Sequence, residues 1–261
     1  MVDVLELVLL GSFAGFTIFL GLPIVLLGIS DRMRGFLNAF AVGILMFLIV
    51  DVFSHAWTQT TDDAVAAFSG SGSFGTALTE IALMFGGITL GLLGLVAYER
   101  RYMGRGADVV DPTKVSTMTA LGIGAHNLSE GLAIGQSFAF GAVGLGIVLV
   151  IGFAAHNTTE GFGITAPLTA LETKPRLSFL AKVLFIGGVP TLIGTLLGSI
   201  AYSPEAYVFF LAFAGGALVY VTMLMFNTGR RRYSSGLMMG GIFLGLCLGF
   251  LTDLIVSLGG A

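Results

Sequence analysis

Apolar residues run along this chain in eight long blocks, at about 4–29, 36–57, 78–98, 115–140, 142–170, 180–201, 206–227 and 236–258. Each is long enough to cross the ~30 Å hydrocarbon core of a bilayer as a helix. A short glycine-rich turn around Gly141 and Gly144 separates the fourth block from the fifth. Pro23, Pro167 and Pro190 lie inside blocks, where neighbouring helices can re-satisfy the backbone groups that proline frees. The pattern predicts an all-α membrane protein of eight transmembrane helices, forming one transmembrane domain over 1–261. The first block is long enough to span rather than be cleaved as a signal. The polar, small-residue segment 58–77 reads as the longest loop, a flexible one rather than a metal-capturing one.

Charge fixes the orientation of this plan. All twelve Lys and Arg residues fall in alternate loops: Arg32 and Arg34; Arg100, Arg101, Arg105 and Lys114; Lys174, Arg176 and Lys182; and Arg230, Arg231 and Arg232. The positive-inside rule puts these four loops in the cytoplasm, and both termini therefore outside. The arginine run at 230–232 is read as topogenic rather than as a lipid site. Composition agrees, with 56% hydrophobic and only 10% charged residues, against roughly 25% charged in soluble domains. Thirty-nine glycines suit helices that approach one another closely in lipid. A net charge of −3 without a basic face excludes nucleic acid as an evident partner, and membrane lipid is the expected surrounding. The one cysteine, Cys247, can form no internal disulfide.

The chemistry lies in the fourth and fifth blocks. Most carboxylates fall in loops or near span ends; Asp51, Glu130 and Glu160 do not, and the three histidines accompany them. Ala125-His126-Asn127-Leu128-Ser129-Glu130-Gly131 recurs thirty residues later as Ala155-His156-Asn157-Thr158-Thr159-Glu160-Gly161. His and Glu at i and i+4 share one helical face, with Asn beside them. Counted at ~1.5 Å per residue along two antiparallel helices, His126 stands level with Glu160, and Glu130 with His156. Two imidazoles and two carboxylates then surround one point at mid-membrane. Each ionisable group there costs at least ~2.5 kcal/mol without a partner. A bound dication would discharge the carboxylates. Mixed nitrogen and oxygen ligation suits zinc, iron or manganese.

Asp51 and His55 make another i, i+4 pair on the second helix, nearer its outer end, and read as a metal station on the way in or as a hydrated interfacial pair. Gln136, Thr158, Thr159 and Thr165 would add oxygens along a path, or bond to backbone carbonyls. Glycines 122, 124, 131 and 135 on the fourth helix, and 152, 161 and 163 on the fifth, permit close approach.

The repeated HN-x-x-EG resembles helices four and five of the ZIP (Zrt/Irt-like) metal transporters, and the eight-helix plan with both ends out is similar too. The resemblance implies uptake of zinc, or of iron, manganese or cadmium, into the cytoplasm, often by a homodimer. It also implies one metal site at His126, Glu130, His156 and Glu160, and a neighbouring one at Asn127 and Asn157 that shares the glutamates. Ser129 and Thr159 stand where the family usually has proline, and Val189 where bacterial members often carry Glu. A location in the cytoplasmic membrane of a prokaryote is expected, and no enzymatic activity. Two alternatives remain from the residues alone. An intramembrane metal hydrolase would use the same ligands, though HExxH is absent. A proton or cation channel would use the cluster as a relay.

Overall fold

The computed structural model describes residues 3–27, 29–102, 111–171, 173–200 and 203–260. Arg105, part of the expected charged loop 99–114, lies outside them. The described residues are helical almost throughout. α1 is broken: Val4–Phe16 passes into a 3-10 segment, Thr17–Gly21, and then a last α-helical turn, Leu22–Leu26. α2 is Asp31–Phe68, α3 Phe74–Tyr102, α4 Pro112–Ala139, α5 Val143–Thr165 with a 3-10 extension Ala166–Ala170, α6 Leu177–Ile200, α7 Pro204–Arg232 and α8 Ser235–Gly260. Each of the eight expected blocks overlaps one of these helices.

Among the described residues seven helices are long and apolar enough to cross a membrane, and the eighth, α4, is not apolar enough. α4 has the length, with 28 residues. Its hydropathy is lowered by His126, Asn127, Ser129, Glu130 and Gln136, the residues that carry its chemistry.

The expected loop at 58–77 is a correction. α2 continues as helix through Phe68, and α3 begins at Phe74. Alanines 64, 66 and 67 favour helix. The threonines that looked like loop formers turn their hydroxyls back on the helix, Thr60 to the Ala56 carbonyl at 2.8 Å and Thr61 to that of Trp57 at 2.9 Å. Gln59 donates to Asp63 across one turn at 3.2 Å. The chain reverses at Gly70, whose φ of +80° needs a glycine. Gly141, at φ +76°, makes the expected turn between α4 and α5, where Ala142 N donates to Ser137 O at 2.8 Å.

Prolines mark the other breaks. Pro23 and Pro167 lie in the short terminal turns of α1 and α5. Pro190, inside α6, leaves the Ile186 carbonyl without its helical donor.

The helices pack as two bodies. α4 lies along α6, and α1 packs on both α5 and α6; α3 lies along α7, and α2 packs on both α7 and α8. Inside each body glycines bring backbones into contact. In the first, a Cβ at Gly131 would meet the Thr191 carbonyl, one at Gly194 the Leu128 carbonyl, and one at Gly161 the Ile18 carbonyl. In the second, Gly43 faces the Ile242 carbonyl, Gly245 that of Phe40 and Gly91 that of Phe213. Between the bodies the nearest atoms are side chains: Gly122 of α4 faces Val221 Cγ2 of α7, with the Ala217 carbonyl farther off at 3.5 Å, and Gly163 of α5 faces the Ala41 Cβ of α2. The glycines of α4 and α5 therefore mostly admit α6 and α1 rather than each other. Backbone contact holds each body together internally, and the seam between them is packed mainly through side chains.

Candidate metal centre

α4 and α5 bring the two copies of the repeated motif together in the core. His126 Nε2 lies 3.2 Å from Glu130 Oε1 on its own helix and 4.0 Å from Glu160 Oε1 across the pair. His156 Nε2 lies 3.8 Å from Glu160 Oε1. The imidazole centroids are 5.9 Å apart. The expected pairing of levels is thus seen directly for His126 with Glu160. One ligand atom each from His126, Glu130 and His156 lie within 4.8 Å of one another, close enough for all three to hold one metal ion. Glu160 adjoins this group through both histidines. All four residues are buried, and Glu130 Oε2, both Glu160 oxygens, His156 Nε2 and both ring nitrogens of His126 make no hydrogen bond. Such a concentration of unsatisfied buried groups costs several kcal/mol unless a cation completes it.

The two asparagines are held in matching ways. Asn127 Nδ2 donates to Gly187 O of α6 at 3.0 Å, and Asn157 Nδ2 to Ala14 O of α1 at 2.9 Å. These acceptors immediately precede Gly188 and Gly15, where α6 and α1 cross with backbones in contact. With each amide nitrogen pinned, each Oδ1 is left buried and without a hydrogen-bond partner. That leaves an oxygen lone pair beside each glutamate-bearing face, the donor type a second cation would use.

Ser129 and Thr159, at the expected proline positions, leave both helices continuous. Thr158, Thr159 and Thr165 donate to backbone carbonyls of their own helix, the second of the two readings open in the sequence.

A cavity of about 230 Å³ reaches the cluster from one side. Its deep wall is His126, Glu130 and His156, and its mouth carries Asp51 and His55. His55 Nδ1 stands 3.4 Å from Asp51 Oδ1 and 3.0 Å from the Asp51 carbonyl oxygen. The structure therefore places the second-helix pair on the same cavity as the main cluster. Gln136, half-buried beyond Glu130 on α4, is not among the residues that line it. A residue that sequence reading passed over does line it: Asp253 of α8. It sat five residues from the end of the last apolar block and read as a span-end acid. Its signal was an acid in a basic-free half of the bundle, with no Lys or Arg nearby to explain it.

The cavity opens toward the helix ends that carry no Lys or Arg, since Asp51 and His55 lie in the later part of α2 and Leu149 in the first turns of α5. On the basic side apolar side chains close the route. Ile123 of α4, Ile164 of α5 and Ile18 of α1 are fully buried. They converge on Gly187, where a Cβ would stand 2.7 Å from Ile18 Cδ1 and 2.8 Å from Ile164 Cδ1. Lys174 marks the same basic end, donating to Leu26 O at the close of α1 at 2.8 Å, as does the Arg232–Asp31 ion pair at 2.8 Å.

Comparison with known proteins gives one family. Residues 100–227 match the family model described as ZIP Zinc transporter, a stretch that contains both copies of the motif and runs from the end of α3 into α7. No curated protein matches the chain. Members of that family are transporters of divalent metal ions, mainly zinc, and not enzymes. The all-helical membrane architecture and a buried His/Glu cluster within the matched stretch agree with it, and the chain belongs to the ZIP family of metal transporters.

Proposed function

We propose that this chain carries zinc from outside the cell into the cytoplasm, with iron, manganese and cadmium as weaker alternatives. The observation that carries the reading is the convergence of His126, Glu130 and His156 on one point at the floor of a cavity, buried, with Glu130 Oε2, His156 Nε2 and both His126 ring nitrogens making no hydrogen bond. His126, Glu130, His156 and Glu160 are the transport ligands. Two imidazoles and carboxylate oxygens form a borderline donor set that favours zinc over calcium or magnesium. Two carboxylates balance the dication's charge, so the loaded site is neutral within the low-dielectric core. Asn127 and Asn157, with the same glutamates, form a second site beside it.

All eight helices cross the membrane, α4 included, because its polar face is covered by protein rather than lipid. The basic face is cytoplasmic and both termini are outside. The cavity past Asp51 and His55 is then the outer entrance, and the isoleucine layer is the closed inner gate. Sliding of α1, α4, α5 and α6 against α2, α3, α7 and α8 carries the site across the layer, an alternating-access movement. The whole chain works as one transmembrane unit, as a homodimer in the cytoplasmic membrane of a prokaryote.

Purified protein in liposomes carries Zn²⁺ inward on this account, with the basic face in the lumen. Metal-independent conductance in the same vesicles would contradict it and favour a channel. Acid opposes binding. Imidazole must be neutral and carboxylates ionised to hold metal, so lowering the pH through the ordinary imidazole range, near ~6.5, weakens zinc binding. Equilibrium zinc binding across pH checks this; affinity that stays flat between pH ~7.5 and ~5.5 would exclude the histidines as ligands.

A further inference from the structure

Asp253 is an acid on a membrane helix that makes no hydrogen bond or ion pair among the described residues. The described Lys and Arg residues lie at the opposite end of the bundle. It is exposed, yet onto the cavity that ends at the metal centre. Asp51 and His55 of α2 line the same cavity. The Asp51 and Asp253 carboxylates line one cavity mouth, and like charges so placed repel. A cation between them removes that repulsion. Deeper in the same cavity, Glu130 Oε2 and His156 Nε2 are buried and make no hydrogen bond. The acids are therefore the first charged groups on a route that ends in ligand atoms not yet hydrogen-bonded.

We propose that Asp253, with Asp51 and His55, forms an outer capture station for the hydrated divalent metal, built on the body that does not carry the transport ligands. The inference rests on the transport reading. Asp51, His55 and Asp253 do not close to metal-ligand spacing as His126, Glu130 and His156 do. The station therefore holds the ion through its water shell, and the deep site strips that shell. Backbone contacts at Gly43–Ile242 and Gly245–Phe40 fix α2 to α8, so the three residues keep their arrangement while the other body moves. The station stays outside and hands metal to a site that travels. Its effect is on arrival: two carboxylates against one imidazole leave the cavity mouth net negative, which raises the local concentration of a dication and its on-rate.

The test is zinc flux kinetics in liposomes for the parent, Asp253→Asn and Asp253→Glu, at low and high ionic strength. Asp253→Asn should raise KM about fivefold at low salt with kcat retained, and the gap should close as salt screens the field over about 8 Å. Asp253→Glu should restore the parental KM. Zinc stoichiometry of purified Asp253→Asn should equal the parent's, because the deep site is untouched. A parental KM at low salt, a loss confined to kcat, or a salt-independent defect overturns the station. Flux of Glu130→Ala/Glu160→Ala, measured alongside, separates the outcomes. If flux depends on the glutamates but not on Asp253, only the station falls; if flux ignores the glutamates, the transport site itself is misassigned.

Discussion

Replacing Glu130 and Glu160 together by alanine should reduce zinc flux by about 100-fold or more while leaving the protein folded, and slightly more stable. Among the described residues these two carboxylates are the anionic groups at the centre. Without them, a dication in a buried, low-dielectric pocket keeps its full charge against two neutral imidazoles, and binding fails. Stability moves the other way. The glutamate oxygens that make no hydrogen bond, three of the four, are desolvated without full compensation, so removing them relieves a cost in the metal-free protein. This opposition separates a transport site from a structural clasp. If the His–Glu pairs served only to lock α4 to α5, the same double substitution would lower thermal stability in detergent and leave residual flux in proportion to folded protein. Thermal unfolding of the metal-free protein, measured together with flux, distinguishes the two.

Gly161→Ala should cost ~3 kcal/mol or more of stability and remove most of the folded protein from the membrane. Its Cβ would collide with the Ile18 carbonyl, a backbone atom that cannot rotate away, at the place where α5 meets the 3-10 segment of α1. Gly21 on the facing strand of contact meets Gly161 in the same way. The collision would push α1 off α5 and break the Asn157 to Ala14 hydrogen bond that lies one turn away. Gly86 and Gly240 are the controls. Each is on a helix, with nothing within 4 Å of an added Cβ. Alanine there should be neutral or stabilise by up to ~1 kcal/mol, since it lowers the backbone entropy lost on folding. Fluorescence-detected size exclusion on the three variants reads the difference. Equal yields would mean that the close contact between α1 and α5 is not what holds the first body together.

Much of this was legible before any coordinates. Helix existence followed from apolar run length, and the site followed from a seven-residue motif used twice. The arithmetic of residue rise placed His126 level with Glu160 because both helices are continuous through Ser129 and Thr159. Other features were hidden for physical reasons. Hydropathy marks where helix meets lipid, not where helix ends, so the extension of α2 from Thr58 to Phe68 looked like loop. The 3-10 break in α1 sits where Gly21 approaches Gly161, a contact between residues 140 positions apart that no local pattern encodes. The glycines of α4 announced close packing but not its partner: periodicity gives a face, and only topology says that α6 lies against it. Asp253 was unreadable because its meaning comes from sharing with Asp51 a cavity walled by four other helices. The aligned amides of Asn127 and Asn157 were foreseeable as polar groups, but not their hold on the α1–α6 crossing.

The central claim is that two imidazoles and two carboxylates, facing one another in the core, bind the metal that crosses. Zinc stoichiometry of the purified protein, measured beside the Glu130→Ala/Glu160→Ala variant, tests it most directly. Zinc retained by the parent and lost from the folded variant is the predicted result. Zinc retained equally by both would place the metal elsewhere and contradict the account.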